Sequence, residues 1–489
     1  MKRFAFSAVV GCAFGIAVAA QQPPMQPTEN PAAPGTILKN RAPVSKEILK
    51  VALPKSQEAD LSNGVHVIVI EDHRAPQVSF QMLVDGAGGY YDPPSMPGLA
   101  VFTAALMREG TATRTSEQIS ETLDRLAATV NVAAGTSSVF ANVTGNSLTH
   151  NFDTALALMA DVLTNPSFPP DEIDRYKTRT RAALMNQRTQ PGFLAQERLS
   201  KAVFGDHPLS RVSPDREALD AVTRDSLVEF HKTHYVADRA ILAVAGDISL
   251  DQVKARAEAA FGAWKKAGTS VEAPNEPPPL QGPSISFVAR PNSVQTSLRI
   301  GAQSLQRTNP DYEALTVGNR ILGGPSGRLF EHLREQKGYT YGANSFFSGT
   351  KIRGSWTAST DVRSEVTDAA LTDLIDEIRQ MREKPVSDKE LSDARRAIVA
   401  SFALGLENPN AILNDYIDRY IYKLPADYWD RLPARYEAVT AADVQRVAQK
   451  YWTADQLQIV AVGDAAKVEP ALKKLGTVQT FDAEGKAIK

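Results

Sequence analysis

Cysteine is almost missing from this chain of 489 residues: Cys12 is the only one. A disulfide framework is therefore excluded, and a thiol nucleophile finds no support. Charge of one sign is missing too. The 54 Lys and Arg residues are balanced by 56 Asp and Glu, for a formal net charge of −2 and a pI near 6.4. That balance argues against nucleic acid as a main partner. Beyond the first twenty residues no segment is long and apolar enough to span a bilayer. No G-x-S-x-G elbow supports a Ser-His-Asp site, and the run Gly324-Pro-Ser-Gly327 is not one. The same glycine segment lacks the G-K-[ST] of a phosphate-cradling loop.

What is present begins with a targeting segment. Met1-Lys2-Arg3 is a short positive start, Phe4 to Val18 is apolar, and Val18-Ala19-Ala20 before Gln21 resembles a signal-peptidase site. Residues 1–20 thus read as a signal peptide cleaved near Ala20, giving an exported, periplasmic chain. The alternative is lipid attachment through Cys12, because Val9-Val10-Gly11-Cys12 loosely fits a lipobox. Residues 21–50 read as a proline-rich, disordered lead-in.

The remainder contains an internal repeat. Val222-Thr-Arg-Asp-Ser-Leu and Val439-Thr-Ala-Ala-Asp-Val open two stretches that run in step at an offset of 217 residues. The offset aligns Tyr235 with Trp452, Asp238 with Asp455, Gly246 with Gly463 and Asp247 with Asp464, without a gap. Each stretch reads as a helix, an aromatic, a short turn and an apolar strand, Ala240 to Ala245 or Leu457 to Val462. A period this long means a duplicated domain, not a solenoid. Between the copies, residues 268–283 are dense in proline and read as a semi-extended spacer. The expected division is 51–267, linker 268–283, 284–480 and a tail 481–489.

Local patterns set the fold class. Val65 to Ile70 reads as a buried strand, Val78 to Val84 as an alternating one, and Val130 to Val143 as a strand pair broken at Gly135. Thr115-Ser-Glu-Gln118 is a capping-box signal before Ile119, Leu123 and Leu126 on one helical face. Phe152 to Leu163 is amphipathic. Alternating strands mixed with amphipathic helices predict an α+β fold: two tandem homologous domains, each a mainly antiparallel sheet packed with helices.

Pro97 to Thr111, P-G-L-A-V-F-T-A-A-L-M-R-E-G-T, resembles the frame G-x-A-H-x-x-E-H-x-x-x-x-G-T of the insulinase/pitrilysin-type zinc metallopeptidases, the inverted zincins. Gly98, Ala100, Gly110 and Thr111 match it. The two zinc histidines fall on Val101 and Ala105, and the general-base glutamate falls on Ala104. The family's third ligand, a glutamate on a later helix, falls on Ala182 or Ala183 in R-A-A-L-M-N-Q. None of these side chains has a lone pair to give a metal that needs three protein ligands. The repeat agrees with the resemblance, since the family is built of tandem halves of one fold, that of the mitochondrial processing peptidases.

Ile321 to Tyr341, I-L-G-G-P-S-G-R-L-F-E-H-L-R-E-Q-K-G-Y-T-Y, resembles the family's glycine segment followed by L-R-E-x-x-G-x-x-Y. The resemblance makes Arg334 and Tyr341, seven residues apart, the pair that donates hydrogen bonds to a substrate carbonyl as negative charge develops. Gly323, Gly324 and Gly327 are expected to supply unusual backbone conformations and close approach. His231 and His234, three apart on a helix, lack a third metal ligand and read as polar-face residues. His207 in F-G-D-H-P-L-S-R reads as structural, and His66 sits in a strand with no partner in sequence.

The resemblance implies a chain with no metal or other cofactor of its own, a pseudoenzyme by itself. It would be the non-zinc subunit of an exported heterodimeric peptidase, with a homologous partner that carries H-x-x-E-H and binds zinc. Extended peptides would be the substrates. The alternative is a catalytically inactive peptide-binding or scaffolding protein of the cell envelope.

Overall fold

The computed structural model describes residues 51 and 53–488. The signal-peptide and lead-in expectations, residues 1–20 and 21–50, lie outside them. Two mixed sheets packed with helices make up the α+β architecture. The first contains β1 (Gln57–Asp60), β2 (His66–Glu71), β3 (Gln77–Asp85), β4 (Thr129–Ala134), β5 (Phe140–Leu148) and β6 (Ala240–Gly246), in the order β1-β2-β6-β3-β5-β4. The second contains β7 (Ser284–Ala289), β8 (Gln295–Gln303), β9 (Thr340–Gly349), β10 (Arg353–Arg363), β11 (Gln458–Gly463), β12 (Val478–Phe481) and β13 (Ala487–Ile488). Its order is β13-β12-β7-β11-β8-β10-β9. Among the described residues only β2 with β6, and β7 with β11 and β12, run parallel.

The repeat is visible element by element. Thr223 and Thr440 each form a capping box at the start of a helix, Arg224–His234 and Ala441–Tyr451. Such a cap satisfies backbone donors that the first helical turn leaves open. Tyr235 and Trp452 follow, both buried. Then β6 and β11 take equivalent central places, each buried along its whole length. A continuous apolar run suits a strand covered on both faces.

The covering is reciprocal. Helix α1 (Leu99–Met107), α2 (Ser116–Leu126) and α3 (Phe152–Thr164) pack with the first sheet, and α4 (Pro170–Gln187) lies beside them. Helix α5 (Pro191–Phe204) leaves this half and packs on β8 and β11 of the second sheet, with Leu194, Leu199 and Val203 against Val288, Val460 and Val462. In return the helix Pro409–Ile421 lays Ile412, Leu413 and Tyr416 on the far face of the first sheet, over Ile68, Ile70 and Ile241. Gly301 on β8 makes room for α5. A Cβ there would stand 3.0 Å from both Leu199 methyl carbons.

This exchange explains a departure from the sequence pattern. β3 does not alternate; Phe80 to Val84 is buried throughout, because the borrowed helix covers the face that alternation would leave wet. The segment 268–283 has neither helix nor strand, yet it is pinned from both sides. Tyr91 donates to the Glu272 carbonyl at 2.9 Å, and the Asn275 N–H donates to Tyr90 Oη at 2.7 Å. Arg353 donates to the Pro277 carbonyl at 2.7 Å and pairs with Glu276 at 2.9 Å.

Candidate functional site

The helix that carries the zincin-like frame is set by its first turn. Gly98 precedes it with φ of 105°, a left-handed conformation that disfavours any side chain. Asp92, 5% exposed, accepts the N–H groups of Gly98 at 2.6 Å and Ala100 at 2.8 Å. Burial pushes its carboxyl up to about 6 despite those two donors and nearby Arg211. Along α1 the side chains of Leu99, Ala100, Phe102, Leu106 and Met107 enter the core. Ala104 is 1% exposed, while Val101 and Ala105 are half-buried. Ala182 and Ala183 are exposed on α4.

These residues do not fit a zinc ion, since no side chain at the four frame positions carries a donor atom. Among the described residues no group of three His, Cys, Asp or Glu side chains is placed to hold a metal. The end of the frame, Gly110-Thr111, is a turn organised around Asp161. That carboxylate accepts from Thr111 at 2.8 Å and Thr113 at 3.0 Å, and pairs with Arg114. Burial alone would raise its pKa, but these donors, with Asn165, hold it below the usual carboxylate range.

Arg334 sits on a π-helical turn, Glu331–Gln336, of the kind often found at functional sites. Leu333 anchors the turn in the core, and the turn packs against β9. The Arg334 side chain is 45% exposed, with its guanidinium 4.7 Å over the Phe330 ring and Nε 3.5 Å from Glu335. Tyr341 follows on β9, the open edge of the second sheet, and is 90% exposed. Among the described residues its hydroxyl has no hydrogen-bond partner, and no bond joins it to Arg334. The Tyr341 hydroxyl is thus unengaged among the described residues, while the partly exposed Arg334 keeps its contacts with Glu335 and Phe330.

The glycine segment differs in part from expectation. None of Gly323, Gly324 and Gly327 takes a left-handed φ; that conformation falls on Ser326 at 66°. Close approach is what they supply. A Cβ on Gly323 would run into the Ser345 backbone of β9, and one on Gly324 would stand 2.6 Å from Arg320.

The histidines are structural anchors, though not all as the sequence suggested. His231 and His234 do not lie on a free polar face. His231 Nε2 meets the Leu163 carbonyl at 2.8 Å and His234 Nδ1 the Gly86 carbonyl at 2.6 Å, with burial lowering both pKa values. His207 Nδ1 accepts the Leu209 N–H, leaving Nε2 to donate to Asn275 O at 3.0 Å. His66 has partners that only folding provides: Asp60 at 2.8 Å, and the ring of Tyr420 stacked at 4.0 Å. One residue beside the site escaped sequence reasoning altogether. His332, on the same turn as Arg334, lies 2.9 Å from Glu377 and 3.8 Å from Asp373. Its partners are more than forty residues away in sequence, so no local pattern marks it.

Comparison with known proteins gives a consistent family. Residues 66–213 match the sequence model described as insulinase (peptidase family M16), and residues 221–398 match that of the peptidase M16 inactive domain. An uncharacterized zinc protease YmxG of Bacillus subtilis is 25% identical over 353 residues, 71% of this chain and 84% of its own. The non-peptidase homolog YmxG of Helicobacter pylori is 23% identical over 409 residues, covering 82% and 93%. A probable mitochondrial-processing peptidase subunit beta of Arabidopsis thaliana is 24% identical over 430 residues, covering 84% and 79%. Among solved structures, a peptidase M16 inactive domain from Pseudomonas fluorescens superposes with a TM-score of 0.77 at 29% identity, covering 84% of this chain and 98% of its own.

Proposed function

The chain belongs to the insulinase-type peptidase family M16, and on that premise we propose that it is the non-zinc subunit of an exported heterodimeric peptidase. A homologous partner bearing H-x-x-E-H holds the zinc. This chain contributes Arg334, Tyr341 and half of the peptide-binding chamber. The observation that carries the reading is the contrast between the two halves. Val101, Ala104, Ala105 and Ala182 or Ala183 are inert where a metal would be held, while Tyr341 stands 90% exposed with an unengaged hydroxyl on an open strand edge.

The phenol and the guanidinium are hydrogen-bond donors suited to a carbonyl oxygen that gains negative charge. A strand edge such as β9 can hold extended peptide by backbone pairing. The processing-peptidase subunit among the relatives supports a paired assembly. Export rests on the leader ending near Ala20, with attachment through Cys12 as the other route. The repeat halves, 51–267 and 284–480, are the domains of this reading.

Arg334→Ala and Tyr341→Phe are expected to lower turnover by the assembled complex at least tenfold, with its zinc content unchanged. Full activity in both variants would reject the reading. A second reading, an inactive peptide-binding or scaffolding protein of the envelope, draws on the non-peptidase homolog of Helicobacter pylori. It predicts indifference to both substitutions.

A further inference from the structure

A cleft of about 770 Å³ opens where the first sheet, the pinned segment 268–283 and the end of the Pro409–Ile421 helix meet. Its volume falls within the range of small-molecule sites, which favour seams between domains. Phe140, Ile241, Val271, Ile421 and Leu424 give it an apolar wall.

The charged groups around that wall do not cancel. Lys351 pairs with Asp85 at 2.6 Å, and Arg419 pairs with Glu58. Asp238 accepts the backbone N–H groups of Ala267 and Gly268 at 2.9 Å each. Among the described residues two cations on the lining form no ion pair with a carboxylate, Arg239 and Lys423, although Asp238 beside Arg239 feels its charge. Arg239 reaches only neutral acceptors, the carbonyl and hydroxyl oxygens of Thr269 at 3.3 Å, and its Nε is buried with no partner. His66 Nε2, on the same lining, lies 3.4 Å from Glu58. A half-buried guanidinium whose neighbouring carboxylate, Asp238, is engaged by two backbone donors and forms no ion pair with it is costly, and an unpaired buried polar atom is rare enough to need a reason.

We propose that this cleft binds a small organic carboxylate carried on an apolar body. The planar guanidinium of Arg239 takes the carboxylate in a two-bonded fork. The Phe140, Ile241 and Leu424 side takes the apolar group. Lys423, exposed at the mouth, adds attraction for the anion without contributing to the core. The site lies at the seam between the two halves of this chain and does not depend on Arg334, Tyr341 or a zinc-bearing partner.

Calorimetric titration of the full chain with N-acetyl-leucyl-phenylalanine, and with the same compound as its C-terminal amide, tests the assignment. The acid is expected to bind and the amide to bind at least tenfold more weakly. Arg239→Gln should abolish that preference. Lys423→Gln, at an exposed turn position, should weaken the acid several-fold and leave the amide unchanged, which keeps the test decisive if Arg239→Gln does not fold. Equal affinity for acid and amide, no binding of the acid at millimolar concentration, or a preference that survives in both variants would overturn the proposal.

Discussion

Asp92 shows how much of the candidate site rests on one buried carboxylate. It accepts the two N–H groups that start α1, and among the described residues no other acceptor is in place for them. Asp92→Ala is expected to cost about 1–3 kcal/mol, the penalty for leaving buried donors unpaired, read from urea denaturation midpoints. Its pH dependence has a definite sign. The folded pKa is raised to about 6 from its ordinary value of 3.8 because burial disfavours the charged form. The stability it contributes is therefore fully present below about pH 4 and declines as pH rises through about 6. Relative to Asp92→Asn, which stays neutral, the natural chain should lose on the order of 2–3 kcal/mol across that window and nothing further above it. A difference that is flat from pH 4 to 7 would show that Asp92 ionises normally. In sequence, Asp92 was silent, since nothing in Tyr91-Asp92-Pro93 tells which helix it will cap.

At the scale of elements, the exchange of α5 and the Pro409–Ile421 helix ties each sheet to the other half. Leu199 fills the space over Gly301, so Leu199→Ala should destabilise by about 2–5 kcal/mol. Gly301→Ala should cost about 1–3 kcal/mol through overpacking against the Leu199 methyls. The two changes are coupled: in the Leu199→Ala background the methyl added at position 301 meets less, so the double variant should be more stable than the summed single losses. Strict additivity in denaturation experiments would contradict the packing described. Strands and caps were legible in advance because their signals are local. The Thr115 capping box, the run Val65 to Ile70 and the break at Gly135 each depend on neighbours within a few residues. The exchanged helices were not legible, because Leu199 and Gly301 are about a hundred residues apart in sequence and amphipathic patterning says that a face is covered without saying by what. The same holds for the segment 268–283, whose proline content describes an extended chain but not its docking on Tyr90, Tyr91 and Arg353.

The whole molecule behaves, on this account, as one body built from a duplicated sequence. The seam is crossed by the Lys351–Asp85 and Arg419–Glu58 pairs and by the His66–Tyr420 stack, besides the two helices. Unfolding by urea should therefore follow a single transition with coincident fluorescence and circular-dichroism curves. Two separated transitions would mean that the halves are independent. The duplication itself was legible from paired landmarks such as Thr223 with Thr440 and Gly246 with Gly463. That Val101, Ala104 and Ala105 offer no ligand atom is a matter of residue type and needs no geometry. The exposure of Tyr341 and the His332 cluster behind Arg334 required the fold. The central claim is that this chain works beside a zinc-bearing partner, and purification of the tagged chain from its native envelope fraction, with mass spectrometry and zinc analysis of what elutes, tests it most directly. The account predicts a stoichiometric homologue carrying H-x-x-E-H, with zinc following that homologue and absent from this chain once the two are separated. Recovery of this chain alone, or stoichiometric zinc bound to it without a partner, would contradict the account.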